Sequence, residues 1–377
     1  MSAASLALRA GALAALLAAT ATAAAAAGDP KVVPGKWNKR DVPDGWLVIE
    51  TEHYHVQCQA GKDKADRLAE HLEAMWEVYS DFLPTRRKPE TFVLKIFRDR
   101  AQFLVYDPSK KTAAAYYNPG TKELVGYDTG IVLGARERPA SIALAADVAA
   151  RFSEEERSRL DQLFGLVTEA YTMDTARVLS HEGWHQYFHM YTVSIVPMPS
   201  WLDEGVGDYF FMATRDGESG AGHGYRLGDL NKHRLRTIQR ALVNGTTVDF
   251  KTLLGFAQQD YYANASVYYA QGWSMVQFLM HHESPERRAL IPRLIKDFKD
   301  TKNFAKSTDK VFKGLDLGQL DRDWIAWVTS QQVDDPLRVL AAEFGGRLAP
   351  EELQTSEENL PVVYKWHLDH PGELFGD

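Results

Sequence analysis

The sequence predicts an α+β protein: a small N-terminal α/β domain over about 46–135, followed by a mostly helical domain over about 150–332. Between Trp46 and Gly130 short runs of strand character alternate with one long helical pattern. After Ser153 nearly every apolar run recurs at helical spacing instead. With 45% hydrophobic and 11% aromatic residues in a chain of 377, there is ample material for a packed core.

Taken in order, residues 1–27 carry one charge, Arg9, and an Ala/Leu run ending in "TATAAAAAGDP", which offers several small-x-small cleavage sites. That pattern predicts a secretory signal peptide. A membrane anchor is the competing reading, but alanine is weakly apolar and no stop-transfer charges follow, so an exported chain without stable membrane insertion is expected, in a periplasmic, extracellular or cell-envelope location. "WLVIETEHYHVQC" and "TFVLKIF" read as strands, and "KADRLAEHLEAMWEVYSDFL" between them as a helix. "AAAYYNPG" and "KELVGYDTG" add a pair of strands divided by an Asn-Pro-Gly turn.

Residues 131–160 hold a Pro-containing connection and then "SEEE" at Ser153, a capping-box pattern that starts a helix. The domain boundary is placed there. Helices follow in "GYRLGDLNKHRLRTIQRALVNG", "YYAQGWSMVQFLMHH", "RRALIPRLIKDF" and "LDRDWIAWVTSQQ". Residues 333–377 are acidic and Pro-interrupted and read as a partly ordered tail.

A net charge of -8 without a basic run argues against nucleic acid as a partner. Cys58 is the only cysteine, which excludes internal disulfides and any multi-Cys zinc knuckle. Its setting, "YHVQCQ", reads as a buried small hydrophobe.

The chemistry is concentrated in "SHEGWHQYFHMY", 180–191. A helix advances about 100° per residue, so His181 and His185 share one face, one turn apart, and two imidazoles can converge on one ion. Glu182 sits a step round the helix, close enough to reach a water at that ion and poorly aimed to be a ligand. Two nitrogens, an open position and a carboxylate to take a proton from water are what a hydrolytic Zn2+ site needs. His189 lies roughly 12 Å along the axis from His181, too far to share the ion, and reads as a packing or capping residue near the helix end.

The third ligand is expected after the turn. In "SIVPMPSWLDEGVGDYFF", Pro197 and Pro199 end the first helix, Ser200 reads as an N-cap, and a second helix starts at Trp201. Packed antiparallel, the two helices bring Glu204 over the histidines, completing a His2Glu site. Asp208, one turn beyond, is placed to accept the other ring N–H of a ligand histidine. Gly183 is a poor helix former and suggests the close approach of another element.

"HEGWH" followed by "WLDEG", with Glu204 nineteen residues after His185, resembles the gluzincin metallopeptidases of the MA clan, including the aminopeptidase N family. The Glu204-x-x-x-Asp208 pattern is similar to the ligand and supporting carboxylate of thermolysin-type enzymes. "YYAQGWSMVQFL" resembles the Y-x-x-G helix start that supplies a transition-state tyrosine in aminopeptidase N relatives, which selects Tyr269 with Gly272 as the glycine. The whole plan looks most like the exported bacterial peptidase-MA-like proteins. The resemblance implies a thermolysin-like zinc-peptidase domain acting on a peptide or protein. The G-x-M-E-N segment that anchors a substrate amino terminus in the aminopeptidase N family is absent, so exopeptidase activity does not carry over.

The roles expected are therefore Zn2+ held by His181, His185 and Glu204, Glu182 as general base, and Tyr269 as hydrogen-bond donor to the oxyanion. Tyr268, its neighbour, is an alternative donor. His223, in "DGESGAGHGY", is a candidate second donor set against a plain loop histidine. The pairs His53/His55, His281/His282 and His367/His370 lack a carboxylate at usable spacing and read as surface residues. The competing function is a non-catalytic zinc-containing binding or cell-envelope scaffold of the same fold.

Overall fold

Strand periodicity at the front of the chain becomes a sheet. In the computed structural model, which describes residues 37, 41–85, 90–111, 113–132, 135–136, 142–171, 174–191, 198–216, 223–332 and 336–355, strand β1 (Leu47–Glu50) pairs antiparallel with β2 (Tyr54–Cys58). Helix α1 (Lys62–Phe82) crosses over to β3 (Phe92–Phe97), and α2 (Arg100–Tyr106), β4 (Ala115–Asn118) and β5 (Glu123–Tyr127) follow. The sheet order is β1-β2-β3-β5-β4, with β2, β3 and β5 parallel and the two edge strands antiparallel to their neighbours.

A parallel centre covered on both faces calls for strands apolar throughout, which is why "FVLKIF" reads as a continuous run and why all of β3 is buried. Alternate residues serve the two sides. Helix α1 packs on β1, β2 and the helix over Thr175–Tyr191, and buries Leu68, Leu72, Met75 and Tyr79, a stripe at helical spacing. Phe97, Phe103, Tyr106, Tyr116 and Val125 cluster with Trp37 and Trp46 on the other side. Lys95 sits inside β3 with its ammonium satisfied: it donates to Glu123 at 2.7 Å, to the Tyr106 hydroxyl at 3.2 Å and to the Trp37 carbonyl at 2.5 Å. Cys58 is fully buried, as its setting predicts, and burial pushes its thiol up to about 12.

Past the sheet come the short strands β6 (Ile131–Val132), β7 (Ala135–Arg136) and β8 (Ile142–Leu144), then α3 (Ala146–Ala149), α4 (Glu154–Tyr171), α5 (Thr175–Tyr191) and α6 (Ser200–Phe211). Strands β9 (Thr214–Arg215) and β10 (Tyr225–Arg226) form a small hairpin. The remainder is helical: α7 (Lys232–Val243), α8 (Phe250–Leu254), α9 (Gln258–Ala263), α10 (Ala265–Met280), α11 (Pro285–Arg288), α12 (Leu290–Thr301), α13 (Phe304–Val311), α14 (Leu317–Ser330) and α15 (Pro336–Phe344), with β11 (Leu353–Thr355) at the end. The fold is thus mixed α+β, a sheet region followed by a mostly helical one, as the sequence predicts.

The chain forms two compact units. One comprises 1–133, 174–197 and 213–227, and the other 134–173, 198–212 and 228–377. In the first, α5 packs on α1 and on β4 and β5. In the second, α10 packs on α6 and α7, while α4 and α15 share a core of Phe152, Leu160, Leu163, Phe164, Leu337, Leu340 and Phe344.

The capping box at Ser153 forms as read: Ser153 Oγ accepts from the Glu156 amide at 3.2 Å and Glu156 accepts from the Ser153 amide at 2.8 Å. Helix α6 departs from the reading by one residue. It starts at Ser200 with Pro199 as its N-cap, and the Pro199 carbonyl accepts from Leu202 and Asp203, so Ser200 lies inside the first turn.

Residues 336–355, which read as the start of a tail, contribute α15 and β11, and β11 pairs with β8. The export signal expected in 1–27 and the end of the chain from 356 lie outside the described residues. Among the described residues no helix is long and apolar enough to cross a membrane.

Candidate metal centre

Helix α5 carries the histidines. Asp174, just before it, caps it by accepting from the Ala176 amide at 2.8 Å. The helix is buried on almost every side, which explains its weak amphipathic pattern. Ser180, immediately before His181, is held twice. Its carbonyl accepts from the Tyr79 hydroxyl at 2.6 Å, and its hydroxyl lies 2.8 Å from His71 Nε2. His71 Nδ1 in turn meets the Tyr225 hydroxyl at 2.5 Å. Gly183 has the packing reason its sequence position suggests: a Cβ there would lie 3.0 Å from the Tyr79 oxygen.

Four-residue spacing puts His181 and His185 Nε2 3.1 Å apart, with both side chains nearly buried. Two nitrogens bound tetrahedrally at Zn–N of about 2.0–2.1 Å would lie about 3.3 Å apart, so the pair fits one ion. One ligand atom from each of His181, His185 and Glu204 lies within 4.8 Å of the others, which makes the three a group able to hold a metal. Two imidazoles and a carboxylate are a donor set of the kind that suits zinc.

Glu182 is half-buried, and its Oε2 accepts the Tyr117 amide of edge strand β4 at 3.0 Å. Sequence reasoning gave no sign of this anchor, which pairs residues 65 positions apart. His189 lies against the rings of Tyr117 and Phe188, at centroid separations of 5.6 and 6.1 Å, the packing place expected of it.

With Pro199 as the cap, Glu204 opens the second turn of α6, one residue later than the sequence suggests, and the Tyr262 hydroxyl donates to its Oε1 at 2.9 Å. Asp208, one turn on, is buried and paired with Arg234 of α7, whose Nε lies 2.7 Å from Oδ2. Arg234 also stacks on the Tyr269 ring at 4.9 Å. Neither Tyr262 nor Arg234 belongs to a motif visible in the sequence.

Tyr269 packs on Tyr261 and Tyr262, and a hydrogen bond joins it to Tyr262. Burial first, and then the charge of Glu204, hold its hydroxyl protonated far above the ordinary phenol range. Tyr268 packs against Phe256, at 5.0 Å between centroids, and against Tyr261 at 6.3 Å. Gly272 lets α10 touch α6: a Cβ on it would lie 2.7 Å from the Trp201 carbonyl oxygen, and one on Gly205 2.8 Å from the Gly272 oxygen.

Residues 175–297 match the family described as a protein of unknown function, DUF1570. The matched segment begins at the first residue of α5 and includes every residue placed above in or beside the metal group, except Tyr117, Asp174 and the α1 residues Tyr79 and His71 that brace Ser180. No curated protein matches the chain.

Two histidines read as surface residues without a carboxylate are paired with one instead. His53 is buried against the Trp76 ring at 3.6 Å with Nδ1 2.7 Å from Glu73, and His55 meets Glu50, its register partner, at 2.5 Å. Their carboxylates come from a neighbouring helix and strand, a pairing that short-range spacing does not reveal. His223 is half-buried, and its Nδ1 accepts the Tyr225 amide at 3.1 Å, a local turn contact. His281 is exposed and bonded to Tyr209, while His367 and His370 lie outside the described residues.

Proposed function

We propose that the chain is an exported, zinc-dependent metallopeptidase that hydrolyses peptide bonds in a peptide or protein substrate. The reading rests on one observation above all: two buried imidazoles on one helix face and a carboxylate form a compact donor set, with a fourth residue, Glu182, next to the first ligand. His181, His185 and Glu204 would hold the zinc. Bound there, it would supply Lewis acidity, polarising a carbonyl and making water more acidic.

The chain's own groups do the proton work. Glu182, anchored through one oxygen to the Tyr117 amide, takes the proton from the attacking water and passes it to the leaving nitrogen. Tyr269 stays protonated and donates a hydrogen bond to the oxyanion that forms at the carbonyl. Asp208 contributes through its buried pair with Arg234, which braces the Tyr269 ring.

Glu182→Gln keeps the shape of the side chain and removes its basicity. It should retain zinc at the wild-type ratio and lower peptide cleavage by about 10²–10⁴-fold. Cleavage at the wild-type rate by that variant would refute the mechanism. A wild type that binds zinc and cleaves nothing in a broad peptide library would favour the scaffold function.

A further inference from the structure

Tyr262 sits at the end of α9, one residue before α9 closes at Ala263 and three before α10 opens at Ala265. It is 43% exposed, unusual for a large aromatic side chain in a helical core, and its hydroxyl is the group 2.9 Å from Glu204 Oε1. The ring is fixed by its neighbours, with centroids 5.5 Å from Tyr261 and 6.2 Å from Tyr269, so the hydroxyl is aimed at the carboxylate.

We propose that Tyr262 is a positioning residue of the metal group: it holds one oxygen of Glu204 and leaves the other to the ion. A carboxylate on a flexible side chain can rotate away or offer both oxygens. A donor bound to one oxygen selects the rotamer and favours ligation through a single atom. Because Tyr269 is hydrogen-bonded to Tyr262, the same hydroxyl also ties the proposed oxyanion donor to the proposed ligand. The inference rests on the zinc reading above and not on peptide hydrolysis.

The test is zinc affinity by chelator competition in the full mature chain, comparing wild type, Tyr262→Phe, Glu204→Ala and the double variant. Tyr262→Phe should weaken zinc by about 10–100-fold, the usual effect of losing a partner that orients a ligand. Tyr262→Phe should still unfold cooperatively in excess chelator with the wild-type denaturant slope, which shows that the fold is kept. In the Glu204→Ala background the same change should have no further effect. Wild-type affinity in Tyr262→Phe, or equal weakening with and without Glu204, would overturn the proposal. Cleavage is not read in this experiment, so failure of the peptidase reading leaves it standing, whereas a wild type that takes up no zinc overturns both.

Discussion

Ser180 shows how much of this site is set by single residues outside the motif. Its position next to His181 is visible in the sequence, but the groups that hold it, Tyr79 and His71, come from α1, about a hundred residues earlier. His71 is buried and neutral, and burial lowers its pKa from 6.5 to about 4. Between those values the unfolded chain binds the proton and the folded chain does not, so stability rises with pH across the window. The contribution is therefore complete above about pH 6.5 and is lost as pH falls toward 4, for a total of about 3 kcal/mol. Urea unfolding in excess chelator should show the difference between wild type and His71→Gln shrinking over that range. Parallel pH curves for the two would contradict this role.

The same scale explains what was legible. Glu204 can be read because two prolines and a fixed spacing place it, and Gly183 because glycine is out of place in a helix. Tyr262 cannot, because "DYYANASVYYAQGW" contains four tyrosines that local pattern does not separate. Only the break between α9 and α10 aims one of them at Glu204. Arg234 is hidden for a similar reason: α7 has four basic residues, and the buried carboxylate that selects Arg234 lies on another helix.

At the scale of elements, two glycines set how closely helices approach. A methyl group on Gly183 would press on the oxygen of a fully buried tyrosine that is itself bonded to a backbone carbonyl. On Gly272 it would meet the Trp201 carbonyl oxygen, which cannot move without shifting α6. Each Gly→Ala gains up to about 1 kcal/mol of helix propensity. Overpacking costs about 1–3 kcal/mol, and contact with rigid backbone belongs at the upper end.

Gly272→Ala should therefore be destabilising on balance, and more so than Gly183→Ala, by denaturant midpoint at constant slope. A Gly272→Ala variant more stable than wild type would show that α6 and α10 can separate freely. The long periodic helices and paired strands were readable. Short elements such as α2, α8 and α9 were not, since one or two turns carry too little periodicity. The start of α6 differs by one residue because Ser200, an N-cap by residue type, lies inside the first turn while the Pro199 carbonyl accepts the first helical bonds.

At the scale of the whole molecule, each compact unit gathers separated stretches of chain. Composition settles the class and the charge argues against a polyanion partner, but neither orders the stretches in space. The strand pattern predicted a sheet without predicting that β3 would be its centre, because a run apolar on both faces says only that the strand is covered. What is legible from helix geometry alone is the pair of histidines, since four-residue spacing brings His181 and His185 to one face.

The most direct measurement is zinc per chain in the purified protein and in Glu204→Ala, after dialysis against buffer with a weak chelator. One zinc per wild-type chain and clear loss in the variant is the predicted result. A wild type that stays metal-free after zinc is supplied, or a Glu204→Ala variant that holds zinc equally well, would contradict it.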